Sequence, residues 1–200
     1  MNKALDKALF KPASKAYGAV APGVVATGVD NFANNLSLPG VVVNDLLQFK
    51  IGDAFHNTFR FALNSTVGLG GLIDVAGQNK LNARPTDFGE TLFVWGVPEG
   101  TYVEMPVFGP STQRDAFGFV VDFAFDPANS LIGKKQRQVG TAAKILKKAD
   151  DRNKFSGLVE SVLYDSEDSY AQSRLLYLQS RRRELHGGID EQNLEDPYAN

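Results

Sequence analysis

The stretch from Phe55 to Gly77, FHNTFRFALNSTVGLGGLIDVAG, constrains the fold more than any other part of the chain, because its amphipathy is inverted. A helix drawn through 55–67 places Phe55, Phe59, Ala62 and Leu63 on one face at i, i+4, i+7, i+8 spacing. Phe61 and Val67 cover much of the remaining circumference. What is left is a narrow polar stripe of Asn57, Arg60 and Asn64. An ordinary surface helix carries an apolar stripe on a polar body. Here the proportions are reversed, and the helix then breaks at Gly68, Gly70 and Gly71.

The pattern recurs further on. Thr112 with Asp115 three residues later fits a capping box that starts a second helix, and Asp126-Pro127 ends it. Phe117, Val120, Val121 and Ala124 share one face of it, and Phe119 and Phe123 another. Arg114, Gly118 and Asp122 form the remaining stripe, with Asp115 on its edge. Such stripes have two readings. They are satisfied by neighbouring backbone inside a soluble core, since buried polar groups are normally paired. Alternatively, the apolar circumference faces lipid and the stripes face an aqueous passage, where irregular backbone such as Gly68–Gly71 is tolerated. A second stripe favours the passage, lined by two helices of opposite charge.

In the passage reading Asn57, Arg60, Asn64 and Arg114 line its polar side. Asp115 and Asp122 keep the arginines solvated or paired. Gly68, Gly70 and Gly71 are a hinge or a close-packing point. Trp95 and Tyr102 are core residues or, because their amphipathic rings suit the headgroup level, interface anchors.

The rest of the chain reads as mostly helical. Residues 3–20 form a short helix with Leu5, Leu9 and Phe10 on one side, interrupted at Pro12. In Asn31–Phe49 a Pro39-Gly40 break precedes an apolar helical run. Lys80–Phe88 reads as polar loop, and Thr91–Phe108 as an irregular apolar loop or a hairpin turning at Pro98-Glu99-Gly100. Lys134, Lys135, Arg137, Lys144, Lys147, Lys148, Arg152 and Lys154 crowd one segment, a solvated helix face or a contact for anionic head groups. Residues 156–185 suggest two conventional amphipathic helices, and 186–200 a polar, disordered tail. One domain over 1–185 is expected.

Chemistry is hard to place. There is no Cys, which removes disulfides, thiolate metal sites and cysteine nucleophiles together. With two histidines, His56 and His186, no catalytic triad can be assembled without arbitrary choices. Gly109-Pro110-Ser111-Thr112-Gln113 fails the nucleophile elbow at its last position, and Gly68-Leu69-Gly70-Gly71 lacks phosphate-loop spacing. No catalytic residue, metal or cofactor is therefore expected. A net charge of −2 argues against nucleic acid. No run of about 20 apolar residues is present, so no transmembrane helix is expected.

Three blocks carry a family resemblance: NFANNLSLPGVVVNDLLQ at 31–48, RFALNSTVGLGGLIDVAG at 60–77 and FGETLFVWGVPEGTYVEMPVFGPSTQRDAFG at 88–118. They resemble the MlaA/VacJ family of bacterial outer-membrane lipoproteins. The resemblance implies a mainly α fold, a ring of helices lying largely in the membrane plane around a central amphipathic channel, with little or no β-structure. It implies phospholipid as cargo, drawn from the outer leaflet and passed to the periplasmic carrier MlaC. It places the protein in the inner leaflet of the outer membrane, beside a trimeric porin. Family members also carry a signal peptide, a lipid-modified Cys and an acidic DPxExxNR-like segment; these are expected upstream of Met1. A scaffold at the membrane surface would need the apolar faces but not the stripes, and a soluble lipid-binding module would need no detergent.

Overall fold

The computed structural model describes residues 3–21, 23–106, 108–125 and 134–186. The chain is mainly α-helical, as the resemblance implies, with one two-stranded sheet. A continuous N-terminal helical stretch comprises α1 (Lys3–Leu5), a π-helical segment π1 (Asp6–Phe10) and α2 (Lys11–Val20). Pro12 does not interrupt it. The wide π turn, closed by the Lys11 N–H on the Asp6 carbonyl, directly precedes the proline, which sits in the first turn of α2, where a missing N–H is tolerated.

Helix α3 (Gly23–Leu47) runs through Pro39 without the expected break. An interior proline costs a helix roughly 3 kcal/mol. Packing of α3 against α4 (Ile51–Thr66) and against α8 (Lys134–Lys154) outweighs it. At the α3–α4 junction Phe49 adopts a left-handed backbone (φ 59°), and the Lys50 N–H reaches back to the Asp45 carbonyl in a Schellman-type close. Two short helices follow, α5 (Val75–Gln78) and α6 (Phe88–Val94), capped by Asp74 and Asp87. Residues 91–94, expected in a hairpin or loop, are therefore helical, because the Asp87 carboxylate accepts the Glu90 N–H and starts the helix just beforehand.

The hairpin itself lies later. Strands β1 (Tyr102–Met105) and β2 (Gly109–Thr112) pair antiparallel, Tyr102 opposite Thr112 and Met105 opposite Gly109. Thr112 then caps α7 (Gln113–Ala124), accepting the Asp115 N–H as the sequence suggests. The expected stop at Asp126-Pro127 lies outside the described residues. The C-terminal part contains α8, α9 (Ser156–Glu160), a second π segment π2 (Ser161–Asp165) and α10 (Ser169–Leu185). Helix α10 is not conventionally amphipathic: Leu175 and Leu176 are exposed while Ser173 is buried. His186 closes α10, and the rest of the expected tail lies outside the described residues.

The inversion extends to the whole molecule. Among the described residues the largest fully buried side chains are Asn57, Thr91, Thr112, Asp6, Asp45 and Ser14. Phe49, Phe55, Phe59, Phe117, Phe123 and Phe125 are exposed. Buried side chains of a water-soluble protein are chiefly aliphatic and aromatic, with charged groups outside. Here it is the exterior that suits hydrocarbon. No helix among the described residues is long and apolar enough to cross a membrane.

Candidate functional site

Helix α4 turns its polar stripe inward and its phenylalanines outward. Asn57, Arg60 and Asn64 are buried, whereas Phe55 is 74% exposed and Phe59 58%. The stripe meets the polar side of α3, the turn before α5 and the extended segment 81–85. Between them lies a cavity of about 260 Å³ lined by Asn31, Asn34, Asn35, Ser37, Leu38 and Val41 of α3, Arg60 and Asn64 of α4, and Asp74, Ala83, Arg84 and Pro85.

The cavity wall is organised around Asp74. Arg60 Nη2 donates to both of its oxygens at 3.2 and 3.3 Å, and Arg60 Nη1 donates to the Leu81 carbonyl. Asn64 Nδ2 donates to Asp74 Oδ1 at 2.8 Å while Asn64 Oδ1 accepts the Ala76 N–H at 2.9 Å. Asp74 also accepts the Gly77 N–H at 3.0 Å as the cap of α5. Burial pushes the Asp74 carboxyl up, but the Gly77 N–H, the Asn64 amide and the Arg60 guanidinium outweigh it and hold it below the usual carboxylate value. Not every polar atom is satisfied. Asn35 Oδ1 and Arg60 Nε are buried without a partner.

The stripe divides at Asn57. That side chain does not line the cavity; its Nδ2 donates to Asp45 Oδ2 at 2.8 Å and to the Arg84 carbonyl at 3.0 Å, sealing the wall beside it. The second stripe is set elsewhere again. Arg114 Nε donates to Asp115 Oδ1 at 3.1 Å and its guanidinium lies over the Phe93 ring. Asp115 accepts from Thr112 Oγ1 at 3.0 Å and from the Tyr177 hydroxyl at 2.8 Å, with Arg181, itself bonded to Asp87, at 3.4 Å. Asp122 accepts Asn44 Nδ2 and the Phe88 N–H, both at 2.9 Å. None of Arg114, Asp115 and Asp122 lines the Arg60 cavity. They join α7 to α3, α6 and α10.

The glycines do different work from one another. Gly68 is buried, and a Cβ there would fall 2.5 Å from the Asn64 carbonyl oxygen and against that of Ile73. Gly70 (φ 74°) faces open space, while Gly71 (φ 97°) abuts the Asn35 side chain of the cavity wall. Trp95 is half exposed, its Nε1 donating to the Leu47 carbonyl at 3.1 Å. Tyr102 is partly buried against Tyr170, ring centroids 5.3 Å apart.

The basic segment is less free than its composition suggests. Lys147 pairs with Asp151, Arg152 with Asp6, and Lys154 with Asp30. Lys148 lies over the Phe108 ring, and burial lowers the pKa of its ammonium. His56 bonds to the Asn82 carbonyl and His186 packs edge-on against Phe93. Among the described residues no cluster of His, Cys, Asp or Glu has the makings of a metal site.

Sequence reasoning missed Asp74, Asn31, Asn34, Asn35 and Arg84. The i, i+3, i+4 spacing of Asn31, Asn34 and Asn35 was the available signal, since it puts three amides on one face of α3. Asp74 had a weaker one, as a carboxylate just before a short helix.

An apolar exterior over a polar, partly open interior defines a membrane-associated helical protein. The chain belongs to the MlaA lipoprotein family, whose model matches residues 1–184. It is 37% identical over 125 residues to the Intermembrane phospholipid transport system lipoprotein MlaA of Haemophilus influenzae, covering 60% of this chain and 49% of that protein. That match spans about half of the relative's length. The protein of the same description from Shigella flexneri is 32% identical over 193 residues, 92% of this chain and 72% of its own. A solved structure described as the structural basis for maintenance of bacterial outer membrane lipid asymmetry matches with a TM-score of 0.73 and 28% identity, covering 92% of this chain and 91% of the other.

Proposed function

We propose that residues 1–185 act as one unit, a non-enzymatic phospholipid passage in the outer membrane. In this reading it takes phospholipids that have strayed into the outer leaflet and hands them to the periplasmic carrier MlaC, from a position beside a trimeric porin in the inner leaflet. The helices would form a ring around the path. The observation that carries the reading is the polar cavity at Arg60 and Asn64, walled by helices whose outer faces are phenylalanine and leucine. The names of the relatives point the same way.

The energetics set what such a protein must do. Burying lipid chains is worth about 0.8 kcal/mol per CH₂, so exposing two ordinary acyl chains to water costs on the order of 20 kcal/mol. A carrier of phospholipid must keep the tails in apolar surroundings while its polar track accepts the head group. The exposed faces of α4 and α7 serve the first requirement. Arg60 serves the second, its guanidinium drawing the phosphate while Asn64 and Asp74 hold it in place. Arg114, Asp115, Asp122 and Asn57 brace the wall behind. The turn at Gly68, Gly70 and Gly71 serves as a hinge or a close-packing point between α4 and α5. Trp95 and Tyr102 sit at headgroup level. The chain offers no energy-coupling motif, so partners would supply the direction of transfer.

The test is purification with and without detergent, followed by mass analysis of co-purified lipid. Detergent dependence with intact phospholipid, depleted in the Arg60→Glu variant, supports the passage. Free solubility with no bound lipid overturns it.

A further inference from the structure

We infer that Arg84 is the side chain that closes on a lipid phosphate at the cavity, and that Asp53 is the carboxylate it leaves to do so; this rests on the lipid-passage reading. Among the described residues that line the cavity, Arg60 and Arg84 are the basic ones and Asp74 the acidic one. Arg60 draws a phosphate from within the wall but has little surface with which to touch it. Its side chain is 6% exposed, Nη1 and Nη2 each hold a partner in the wall, and Nε is enclosed. Its charge is met by Asp74, whose side chain is the more exposed of the two at 36%. That pair leaves the wall with no net positive charge for an incoming anion.

Arg84 is placed differently. Its side chain is 53% exposed, and Nη1 donates to Asp53 Oδ1 at 2.5 Å. A guanidinium carries a fork of N–H donors, and this one-pronged contact leaves most of them open. Asp53 stands on α4 one turn before Asn57 and does not line the cavity, so the pair holds the guanidinium at the cavity's edge. The backbone beneath it is fixed. Asn57 Nδ2 donates to the Arg84 carbonyl at 3.0 Å, and Pro85 keeps Arg84 extended. Only the side chain has to move.

The exchange costs little and gains a better contact. Asp53 is 33% exposed, so water solvates both partners when the pair parts, and such exposed pairs are weak. A lipid phosphate offers two oxygens to the guanidinium fork, the stronger two-pronged arrangement. Its single negative charge takes the place of Asp53 beside Arg84. The cavity stays neutral, with Arg60 still matched by Asp74, while Asp53 turns to water.

The experiment presents the detergent-purified chain with an equimolar mixture of phosphatidylglycerol and diacylglycerol of identical acyl chains, one with a phosphodiester head group and one without. Mass analysis of retained lipid gives the ratio of the two. Arg84→Gln should lower that ratio about tenfold or more, the effect of hydrogen bonds to a charged group. Arg84→Lys, a point charge without the fork, should lower it by less. Asp53→Asn should raise it about two- to fivefold, the release of an exposed ion pair. In the Arg84→Gln background the same Asp53 change should do nothing. An ordinary surface pair that only braces segment 81–85 predicts a fall or no change for Asp53→Asn. Millimolar inorganic phosphate should leave the ratio as it is, since the free ion brings no acyl chains to the apolar faces.

Thermal melts check that each variant folds; should Arg84→Gln fail to fold, Asp53→Asn decides. Equal retention of the two lipids by the wild type, an unchanged ratio in a folded Arg84→Gln, or no rise in Asp53→Asn overturns this inference and leaves the passage reading standing. So does a rise that persists without Arg84, which would be a bulk charge effect, or loss of the preference in inorganic phosphate, which would assign the site to the free ion. Retention of neither lipid overturns the passage reading itself.

Discussion

Asp6 and Arg152, 146 positions apart in the chain, meet in a buried two-pronged ion pair: Nε donates to Oδ1 and Nη2 to Oδ2, each at 2.8 Å. The Tyr164 hydroxyl adds a third bond to Asp6 at 3.1 Å, and Glu160 links Arg152 to Lys11. The two π segments thus face one another, π1 contributing Asp6 and π2 contributing Tyr164. Together they tie the N-terminal helices to the C-terminal ones.

Removing one partner of such a pair strands a buried charge, so Arg152→Met should cost about 3–5 kcal/mol of stability. The double variant Asp6→Leu with Arg152→Met should lose much less, since it leaves no orphan. The Arg152 hydrogen bonds hold the Asp6 carboxyl below its ordinary value of 3.8, against the opposing effect of burial. A depressed folded pKa contributes stability that is complete above that ordinary value and is lost as pH falls through the folded one. Thermal melts of wild type and Asp6→Asn in detergent should therefore differ most at neutral pH and converge in acid. A gap that stays constant into strong acid would show that Asp6 is not acting as an ionised partner.

The glycines after α4 separate packing from bending. Gly68→Ala should cost about 1–3 kcal/mol, because the new methyl meets backbone that cannot retreat. Lipid retention should then fall only in step with stability. Gly70→Ala meets nothing but must hold a left-handed backbone, a strain of about 1–2 kcal/mol. If this turn is a hinge, Gly70→Ala should change lipid retention more than melting temperature. Measuring both for each variant checks it, and identical ratios would leave packing as the whole role.

The outward phenylalanines should hold the protein in lipid and contribute little to its internal packing. Burying one such side chain in hydrocarbon is worth roughly 1.5–3 kcal/mol. Phe55→Asp and Phe59→Asp should each weaken binding to phospholipid vesicles by at least about tenfold. Their melting temperatures in detergent should hardly move. Vesicle co-sedimentation alongside the melts distinguishes this from an ordinary core role, in which stability would fall first.

Much of the helical architecture was legible in the residues, and so was part of the site. The polar stripe Asn57, Arg60, Asn64 is a local, 3.6-residue pattern, and its inversion against Phe55 and Phe59 needs no tertiary information. The Thr112 cap of α7 is local in the same way. Pro12 and Pro39 misled because their cost is local while the compensation, a π turn in one case and packing on α4 and α8 in the other, is not. The hairpin was displaced because Asp87, capping α6 from the preceding loop, turned residues 91–94 into helix.

What the chain determines by itself is therefore which side of α4 and of α7 is polar, not whether the apolar side faces outward. Only the tertiary structure decided what the polar sides meet. Arg60 finds Asp74 and a cavity, whereas Arg114 and its sequence neighbour Asp115 are closed in by Tyr177 and Arg181 of α10. The two stripes look alike in sequence because amphipathy depends on neighbours three and four residues away. Their fates differ because a hydrogen bond needs its partner within about 3 Å, and those partners come from distant elements that packing alone brings together.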